Sequence, residues 1–361
     1  MAGKARSTPL PDDREKIRPA SLAEIAAEAG VSAMTVSRAL SGHPAVAAVA
    51  AATRERIGQI AKRRHYRPNL LVSGILKGRT RTVGVIASLK GLYYPRVVAG
   101  IHDELADRSY GMLLSCDIDP VVAADTQAQL AHIHRLVERR VDGIILRLAD
   151  EAAPEHHFAE IEEACIPVVL LDRPFSHKKT CFVSSDNVQG AREAGMLAIE
   201  RGHRVAAYLG GPESVAASKE RGCGLRQAFE EGKIRPGLVE FYPADWTFPV
   251  SDALKLLSVD PRPTVVFCVS DEAAPSVYEA AALLGLNIPG DLSVIGFGNL
   301  PISAVMHPPL TSVEQFPEKV GRTAANLLLK AIEAKGAARQ VTKRIATQVV
   351  IRASLGSVPA A

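Results

Sequence analysis

The chain has 361 residues, of which 47% are hydrophobic and 23% charged, and its formal net charge is +4. This length exceeds what one hydrophobic core usually organises, so we expect two or three globular domains. No apolar run is long enough to span a bilayer, and the first twenty residues lack the apolar core of a signal peptide. Five scattered cysteines without a CxxC pair are typical of reduced thiols. The sequence therefore predicts a cytoplasmic protein without membrane association.

Positive charge is concentrated at the amino-terminal end of the chain. Residues 1–81 contain 15 Lys and Arg against 6 Asp and Glu, a net charge of +9, which leaves −5 on the remainder. A basic head on an acidic body indicates a polyanionic partner, because Lys and Arg displace counterions condensed on phosphates. Charge alone does not distinguish this interpretation from a solvated basic arm.

The first motif in chain order is a group of short helices in this basic region. Ser21 and Glu24 have the spacing of a capping box, at the start of a predicted helix that ends at Gly30. Ser32 can cap a second helix, and a third is predicted over Thr53–His65. Helix, glycine turn and helix at this spacing predict a helix-turn-helix, whose second helix enters the major groove of DNA.

Longer strings in the chain are specific enough to compare with known families. In the head they are Leu22-x-x-Ile25-Ala26-x-x-Ala29-Gly30-Val31-Ser32-x-x-Thr35-Val36-Ser37-Arg38-x-Leu40, Thr53-Arg54-Glu55 and Tyr66-Arg67-Pro68-Asn69. In the body they are Asp186-Asn187-x-x-Gly190, Gly202-His203-Arg204, Arg221-x-x-Gly224, Ser270-Asp271, Val294-Ile295-Gly296-Phe297 and Pro309-Leu310-Thr311-Ser312-Val313. The chain closely resembles the lactose/galactose-repressor (LacI/GalR) family of transcription regulators. The resemblance implies a homodimer, pseudo-palindromic double-stranded operator DNA and a small-molecule effector.

The resemblance also implies which residues touch DNA. Ala33 and Met34 match base-reading positions, although Met34 could instead pack in the core of the head. Arg38 matches an arginine that reaches a guanine edge, and a bidentate contact there discriminates between bases. The full set of predicted contacts is Ser32, Ala33, Met34, Thr35, Ser37, Arg38, Tyr66, Asn69, Val72 and Ile75.

The segment after the third helix resembles the family's hinge, which folds into a short helix on cognate DNA. Ile75 occupies the position of an apolar wedge in the minor groove, and Val72 the preceding groove-facing position. The alternative is an ordinary interdomain linker. The predicted segments are therefore a disordered arm (1–19), a helix-turn-helix headpiece (20–68), a hinge or linker (69–80), and an effector-binding and dimerisation domain (81–361).

From residue 81 onward, strand and helix patterns alternate, which predicts an α/β fold with parallel sheets. The first set of predicted strands is Thr82–Ser88, Gly111–Ser115, Gly143–Arg147 and Val168–Leu171. The second set is Cys181–Ser184, Val205–Leu209, Thr264–Val269 and Ser293–Phe297. Two sets predict the two lobes of a periplasmic-binding-protein architecture, with the ligand in the cleft between them.

Candidate ligand contacts follow the ends of predicted strands, where this architecture places them. By resemblance, Tyr93 and Tyr94 match an aromatic pair near the ligand, and Trp246 matches an indole that stacks on a sugar ring. Asp271 matches an aspartate that accepts hydrogen bonds from sugar hydroxyls. The alternatives are a core role for Trp246 and helix capping for Asp271.

Two arginines complete the predicted effector site. Arg192 matches the family's sugar-binding arginine, and Arg147 replaces a neutral amide. Two guanidinium groups at one cleft indicate an anion, because each can grip a carboxylate or phosphate through two hydrogen bonds. We therefore expect a sugar acid or another sugar derivative. The alternative for either arginine is an ion pair with a surface carboxylate.

The sequence does not predict an enzyme. No Walker loop, GxSxG or GxGxxG follows a predicted strand, and the histidine pairs lack the partners of a metal site. We expect no cofactor and no metal. The alternative function is that of a cytoplasmic or exported solute-binding protein with the same sensor fold and no role at DNA.

Overall fold

The structure, a computed structural model, describes residues 20–40, 49–67, 78–89, 91–117, 126–148, 156–172, 180–213, 215–234, 237–243, 245–334 and 341–358. The chain divides into two compact units, Met1–Thr80 and Arg81–Ala361. Within the described ranges, no helix is both long and apolar enough to cross a membrane.

Among its described residues, the first unit contains three helices, α1 (Leu22–Ala29), α2 (Ala33–Leu40) and α3 (Ala51–Arg63). The predicted capping box is present at the start of α1: the Glu24 amide donates to Ser21 Oγ at 3.2 Å, and the Ser21 amide donates to Glu24 Oε2 at 2.6 Å. Gly30 ends α1 in the left-handed conformation, with φ of 63°. Apolar side chains from all three helices form one small core, namely Ile25, Ala26, Ala29, Val36, Ile57, Ile60 and Ala61.

The second unit contains twelve strands and nine helices among its described residues. The strands are β1 (Thr82–Ser88), β2 (Gly111–Asp117), β3 (Gly143–Arg147), β4 (Val168–Leu171), β5 (Cys181–Ser185), β6 (Val205–Leu209), β7 (Gly237–Phe241), β8 (Val265–Cys268), β9 (Ser293–Gly298), β10 (Thr311–Glu314), β11 (Thr342–Ile345) and β12 (Gln348–Val350). The helices are α4 (Tyr93–Asp107), α5 (Thr126–Glu138), α6 (His156–Glu163), α7 (Asn187–Glu200), α8 (Ala216–Glu231), α9 (Val250–Leu257), α10 (Ala274–Leu283), α11 (Pro301–Val305) and α12 (Pro317–Glu333).

The strands form two six-stranded sheets, one in each lobe. The first has the order β11-β5-β4-β3-β1-β2 with every neighbouring pair parallel. The second has the order β12-β10-β9-β8-β6-β7 and is parallel except for the β10–β12 pair. This arrangement confirms the predicted α/β fold with two lobes and parallel sheets.

One predicted assignment of a strand to a lobe is wrong. Cys181–Ser184 was expected to begin the second lobe, but β5 pairs with β4 in the first sheet, with Cys181 opposite Val169. The apolar pattern predicts a strand, whereas the choice of sheet depends on which neighbour it meets. The chain changes lobe after β5, again between β10 and α12, and a third time between β11 and β12.

Helices α4 and α12 pack very closely against each other beside the first sheet. A Cβ atom at Gly321 would lie 2.0 Å from the Val97 carbonyl oxygen, and one at Gly100 would lie 2.1 Å from that of Glu318. These contacts allow only glycine, because the opposing atoms belong to backbone that cannot rotate away. The close crossing fixes α12 against the first lobe, although α12 follows a strand of the second.

Candidate functional site

Helix α2 presents one side to the headpiece core and the other to solvent. Val36 is fully buried, whereas Met34 is 62% exposed. Met34 therefore does not pack in the core. Ser32 accepts the Thr35 amide at 3.2 Å and caps the helix. The solvent-facing side carries Ala33, Met34 and Arg38, and the half-buried Thr35 and Ser37 flank it.

Other predicted DNA contacts have different placements. Tyr66 is half-buried against the headpiece core just after α3. Asn69, Val72 and Ile75 lie outside the described residues, so the hinge stays a prediction.

In the first lobe, three polar side chains meet at the carboxyl ends of the strands. Arg147 Nε donates to the Tyr94 hydroxyl at 2.8 Å, and its guanidinium carbon lies 5.0 Å from the centroid of the Tyr94 ring. The Tyr94 hydroxyl in turn donates to Asp172. Burial raises the pKa of Asp172, and the hydrogen bond from Tyr94 opposes that shift. Tyr94 and Arg147, both predicted effector contacts, are thus joined directly by a hydrogen bond, and the Asp172 carboxylate accepts from the same hydroxyl.

Sequence reasoning missed Asp172. It is the first residue after β4, and this strand-end position was the signal that could have found it. Tyr93 lies beside Tyr94, with the two ring centroids 5.2 Å apart. Its hydroxyl is 3.2 Å from Ser185 Oγ, which donates to the Gln315 carbonyl at 3.1 Å. Tyr93 therefore contacts one segment that connects the lobes directly, and a second through the Ser185 hydroxyl.

In the second lobe, the arginine that reaches the cleft is Arg221 on α8. It is 7% exposed, and its Nε donates to Asn187 Oδ1 at 3.1 Å. It also donates to the Val269 carbonyl, and its guanidinium carbon lies 4.0 Å from the centroid of the Phe297 ring. Burial lowers the pKa of Arg221. Among the described residues no carboxylate is in ion-pair contact with it, so its hydrogen bonds go to neutral acceptors, while Asp172 and Glu220 act on the guanidinium at longer range.

The structure does not bring Arg192 to this cluster. Its guanidinium forms an ion pair with Glu231, the last residue of α8, through Nε at 3.0 Å. Because α8 starts after the carboxyl end of β6 and returns to the amino end of β7, Glu231 lies at the edge opposite the cleft. The surface ion pair considered as an alternative is therefore what the structure shows for Arg192. The sequence contained Arg221 only as part of a family string.

Asp271 is fully buried at the start of the turn after β8. Its carboxylate accepts the Leu300 amide at 2.6 Å and the Ser312 hydroxyl at 2.5 Å. It fits there because Gly296 has no side chain: a Cβ would lie 2.1 Å from Asp271 Oδ1. Burial raises the pKa of Asp271 to about 6. Asp271 thus links the turn after β8 to β10 and to the segment that follows β9, and it does not cap the following helix.

Trp246 lies at the mouth of the cleft and is half-buried. Its ring meets Phe248 edge-on with centroids 5.8 Å apart, and it packs on the second-lobe core. Glu272 accepts a hydrogen bond from Trp246, and burial raises the pKa of that carboxyl. Gly91 of the first lobe lies opposite, since a Cβ there would be 3.3 Å from Glu272 Oε1.

The cleft as a whole combines guanidinium, carboxylate and phenol groups with the edges of aromatic rings. Such a surface can donate to and accept from several hydroxyl groups at once, while the rings cover apolar faces. In the described part of the chain, no group of three or more His, Cys, Asp and Glu side chains is arranged to hold a metal ion. The arrangement is that of a binding site.

Comparison with known proteins covers both units. Residues 21–69 match the model of bacterial regulatory proteins of the lacI family, and residues 197–355 match a periplasmic binding protein-like domain. Catabolite control protein A of Priestia megaterium is 31% identical over 311 residues, which are 85% of this chain and 91% of that protein. The chain belongs to the LacI family.

Further relatives of this LacI-family protein agree in both sequence and structure. The HTH-type transcriptional repressor PurR of Vibrio atlanticus is 29% identical over 89% of this chain and 95% of its own. The lac repressor dimer bound to operator and the anti-inducer ONPF has a TM-score of 0.79 at 25% identity, covering 94% of this chain and all of that one. A complex of the transcriptional regulator CelR with cellobiose has a TM-score of 0.67 at 27% identity, covering 93% and 99%.

The protein is accordingly a DNA-binding transcription regulator with a ligand-binding sensor domain. This membership decides against the alternative of a solute-binding protein without a role at DNA, because the helix-turn-helix is part of the family match. The PurR relative is named as a transcriptional repressor.

Proposed function

We propose that this LacI-family regulator is a cytoplasmic repressor that binds a pseudo-palindromic operator as a homodimer. The observation that carries the proposal is the exposed side of α2, held outward by the buried Val36. Paired heads support the dimer, because one recognition helix offers too few contacts for specific binding. Repression is the role named for the PurR relatives, and effector binding in the cleft sets operator affinity.

The DNA proposal is tested by selecting operator sequences from a random library and measuring binding at fixed salt. Arg38→Ala is expected to lower affinity for the selected site by about 10- to 100-fold, a loss of 1–3 kcal/mol. Affinity for random DNA should change far less. The matched control is Arg56→Ala, which removes one exposed positive charge from α3. If Arg38→Ala keeps the discrimination between selected and random DNA, α2 is not the reading helix.

We further propose that the effector is a sugar acid or another anionic sugar derivative. Arg221 supports the anion, since it is buried without a carboxylate in ion-pair contact among the described residues. Arg147 lies on the facing wall of the cleft with Tyr94 and Asp172. The clamp is therefore assigned to Arg147 and Arg221 in place of Arg147 and Arg192. Asp172 and Glu272 add acceptors for ligand hydroxyls.

The ligand proposal is tested by calorimetry with pairs that share hydroxyl geometry, such as D-gluconate with D-glucose and D-galacturonate with D-galactose. We expect an acid to bind more tightly than its neutral partner. Arg221→Gln should weaken the binding of the sugar acid by about 10- to 100-fold, since charge-assisted hydrogen bonds contribute about 1.5–3 kcal/mol. Arg192→Gln is the control and should bind like the wild type. If neutral sugars bind tightly and none of the sugar acids binds, the proposal of an anionic effector is wrong.

A further inference from the structure

One ion pair joins the two lobes beside the cleft. Arg344 belongs to β11 in the first lobe, and Glu220 to α8 in the second. Two guanidinium nitrogens of Arg344, Nη1 and Nη2, donate to Glu220 Oε1 at 3.2 and 3.1 Å. Glu220 directly precedes Arg221 in the sequence. The contact therefore ties the first lobe to the helix that carries the buried cleft arginine.

Each partner of this ion pair is held by its own lobe. The Arg344 guanidinium carbon lies 5.8 Å from the centroid of the Phe182 ring, which is buried in the first-lobe core. The second carboxylate oxygen of Glu220 accepts from Asn187 Nδ2 at 2.8 Å. Asn187 begins α7, immediately after the first crossing between lobes. A relative movement of the lobes must therefore stretch this contact.

The same asparagine connects the ion pair to Arg221. The Oδ1 atom of Asn187 accepts Arg221 Nε at 3.1 Å while its Nδ2 donates to Glu220. Both ends of one amide are thus committed, which fixes its orientation. Hydrogen bonds run without a break from Arg344 in the first lobe to Arg221 in the second. The amide thus links the position of Glu220 to that of the Arg221 guanidinium.

We propose that Arg344 and Glu220 form an inter-lobe latch, which holds the lobes in this arrangement and positions Arg221 through Asn187. Both are positioning residues, and the inference rests on the proposed function in taking Arg221 as a ligand contact. The latch gives the cleft a preferred closure before any effector arrives. Side chains that are 38% and 22% exposed are partly screened by water, so the latch shifts the opening equilibrium by about two- to fivefold.

The test is hydrogen–deuterium exchange on the full-length protein without ligand. Exchange is followed at the amides of residues 185–190 and 345–350, which are two of the segments where the chain crosses between the lobes (the crossing segments). A hydrogen bond joins these two segments, since the Asp186 amide donates to the Ile345 carbonyl at 2.9 Å. Arg344→Gln and Glu220→Gln should each speed exchange there by about two- to fivefold, in proportion to the opening equilibrium. The double variant should be no faster than either single one, because one interaction is lost in all three.

The matched control is Arg226→Gln on the same helix. Arg226 forms an ion pair of similar exposure, 45% and 19%, with Glu240 inside the second lobe. It should leave exchange in the crossing segments unchanged.

Three results would overturn the latch. The first is that the crossing segments of Arg344→Gln exchange at the wild-type rate, and the second is that the rate increases of the two single variants multiply in the double variant. The third is that exchange in these segments becomes faster in Arg344→Gln but not in Glu220→Gln. The last would show only local fraying of β11. Because no ligand is used, failure here leaves the assignment of Arg221 untouched. Conversely, if Arg221→Gln does not weaken the binding of sugar acids, the proposal of the latch is unaffected.

Discussion

Replacing Asp271 by asparagine should change how the stability of the protein depends on pH. Asp271 is 0% exposed, and burial raises its pKa from 3.8 to about 6. The folded protein thus holds a proton that the unfolded chain has released. The contribution of Asp271 to the free energy of unfolding is complete below about pH 4 and is lost as the pH rises through about 6. At about 1.4 kcal/mol per pKa unit, the loss is about 3 kcal/mol.

The asparagine variant carries no charge at any pH and can keep both contacts. Its amide oxygen can accept the Leu300 amide, and its NH2 group can donate to Ser312 Oγ. We therefore expect the variant to gain about 3 kcal/mol over the wild type, in free energy of unfolding, between pH 4 and pH 7. Urea unfolding at closely spaced pH values, with fixed protein concentration and ionic strength, measures this difference.

Asp291→Asn is the control for this experiment. Hydrogen bonds from the backbone and side chain of Asn287 lower the pKa of the exposed Asp291. Its contribution has the opposite sign, being present above pH values near 4 and lost below them. Between pH 4.5 and 7 this control should run parallel to the wild type. If Asp271→Asn also runs parallel to the wild type over that range, the raised pKa of Asp271 and the reasoning from its burial are wrong.

Four further substitutions test the packing and the electrostatics. Gly321→Ala should lower the free energy of unfolding, measured by calorimetry, by about 1–3 kcal/mol, because the new Cβ would lie 2.0 Å from the Val97 carbonyl oxygen. Gly58→Ala should instead stabilise α3 by about 0.5–1 kcal/mol, because a Cβ at that position meets nothing within 4 Å. Ser21→Ala removes the capping box and should lower the free energy of unfolding of the headpiece by about 1 kcal/mol, as measured by urea unfolding followed by circular dichroism. An unchanged free energy of unfolding would contradict the capping role. Burial lowers the pKa of His203, so it stabilises the protein above pH 6.5 and this contribution is lost as the pH falls. The stability advantage of the wild type over His203→Gln should therefore shrink from pH 7 to pH 5, and a constant difference would refute it.

Local elements were largely predictable from the sequence. The apolar runs Thr82–Ser88, Gly143–Arg147 and Val205–Leu209 were predicted with the bounds that the structure has. The capping box at Ser21 is also present as predicted. These features depend on side-chain spacing over a few residues, which a sequence contains in full. The two sets of predicted strands extended this local information to two lobes.

The identity of the cleft arginine was decided only by tertiary structure. Arg192 and Arg221 lie on adjacent helices, and nothing in their local sequences shows which faces the cleft. Packing of α7 against α8 directs Arg192 to Glu231 at the far edge, and places Arg221 between Asn187 and Phe297. A charged side chain settles where distant segments provide acceptors, so its partner is a long-range property of the fold.

The same distinction applies to the sheets and to Asp172. The sequence by itself predicted a strand over Cys181–Ser184, one residue shorter than β5, and contains a carboxylate directly after the predicted strand Val168–Leu171. Only the folded chain decided that this strand joins the first sheet and that Asp172 accepts from Tyr94. Strand pairing and hydrogen bonding within the first lobe join residues far apart in sequence, and their geometry exists only once that lobe is folded.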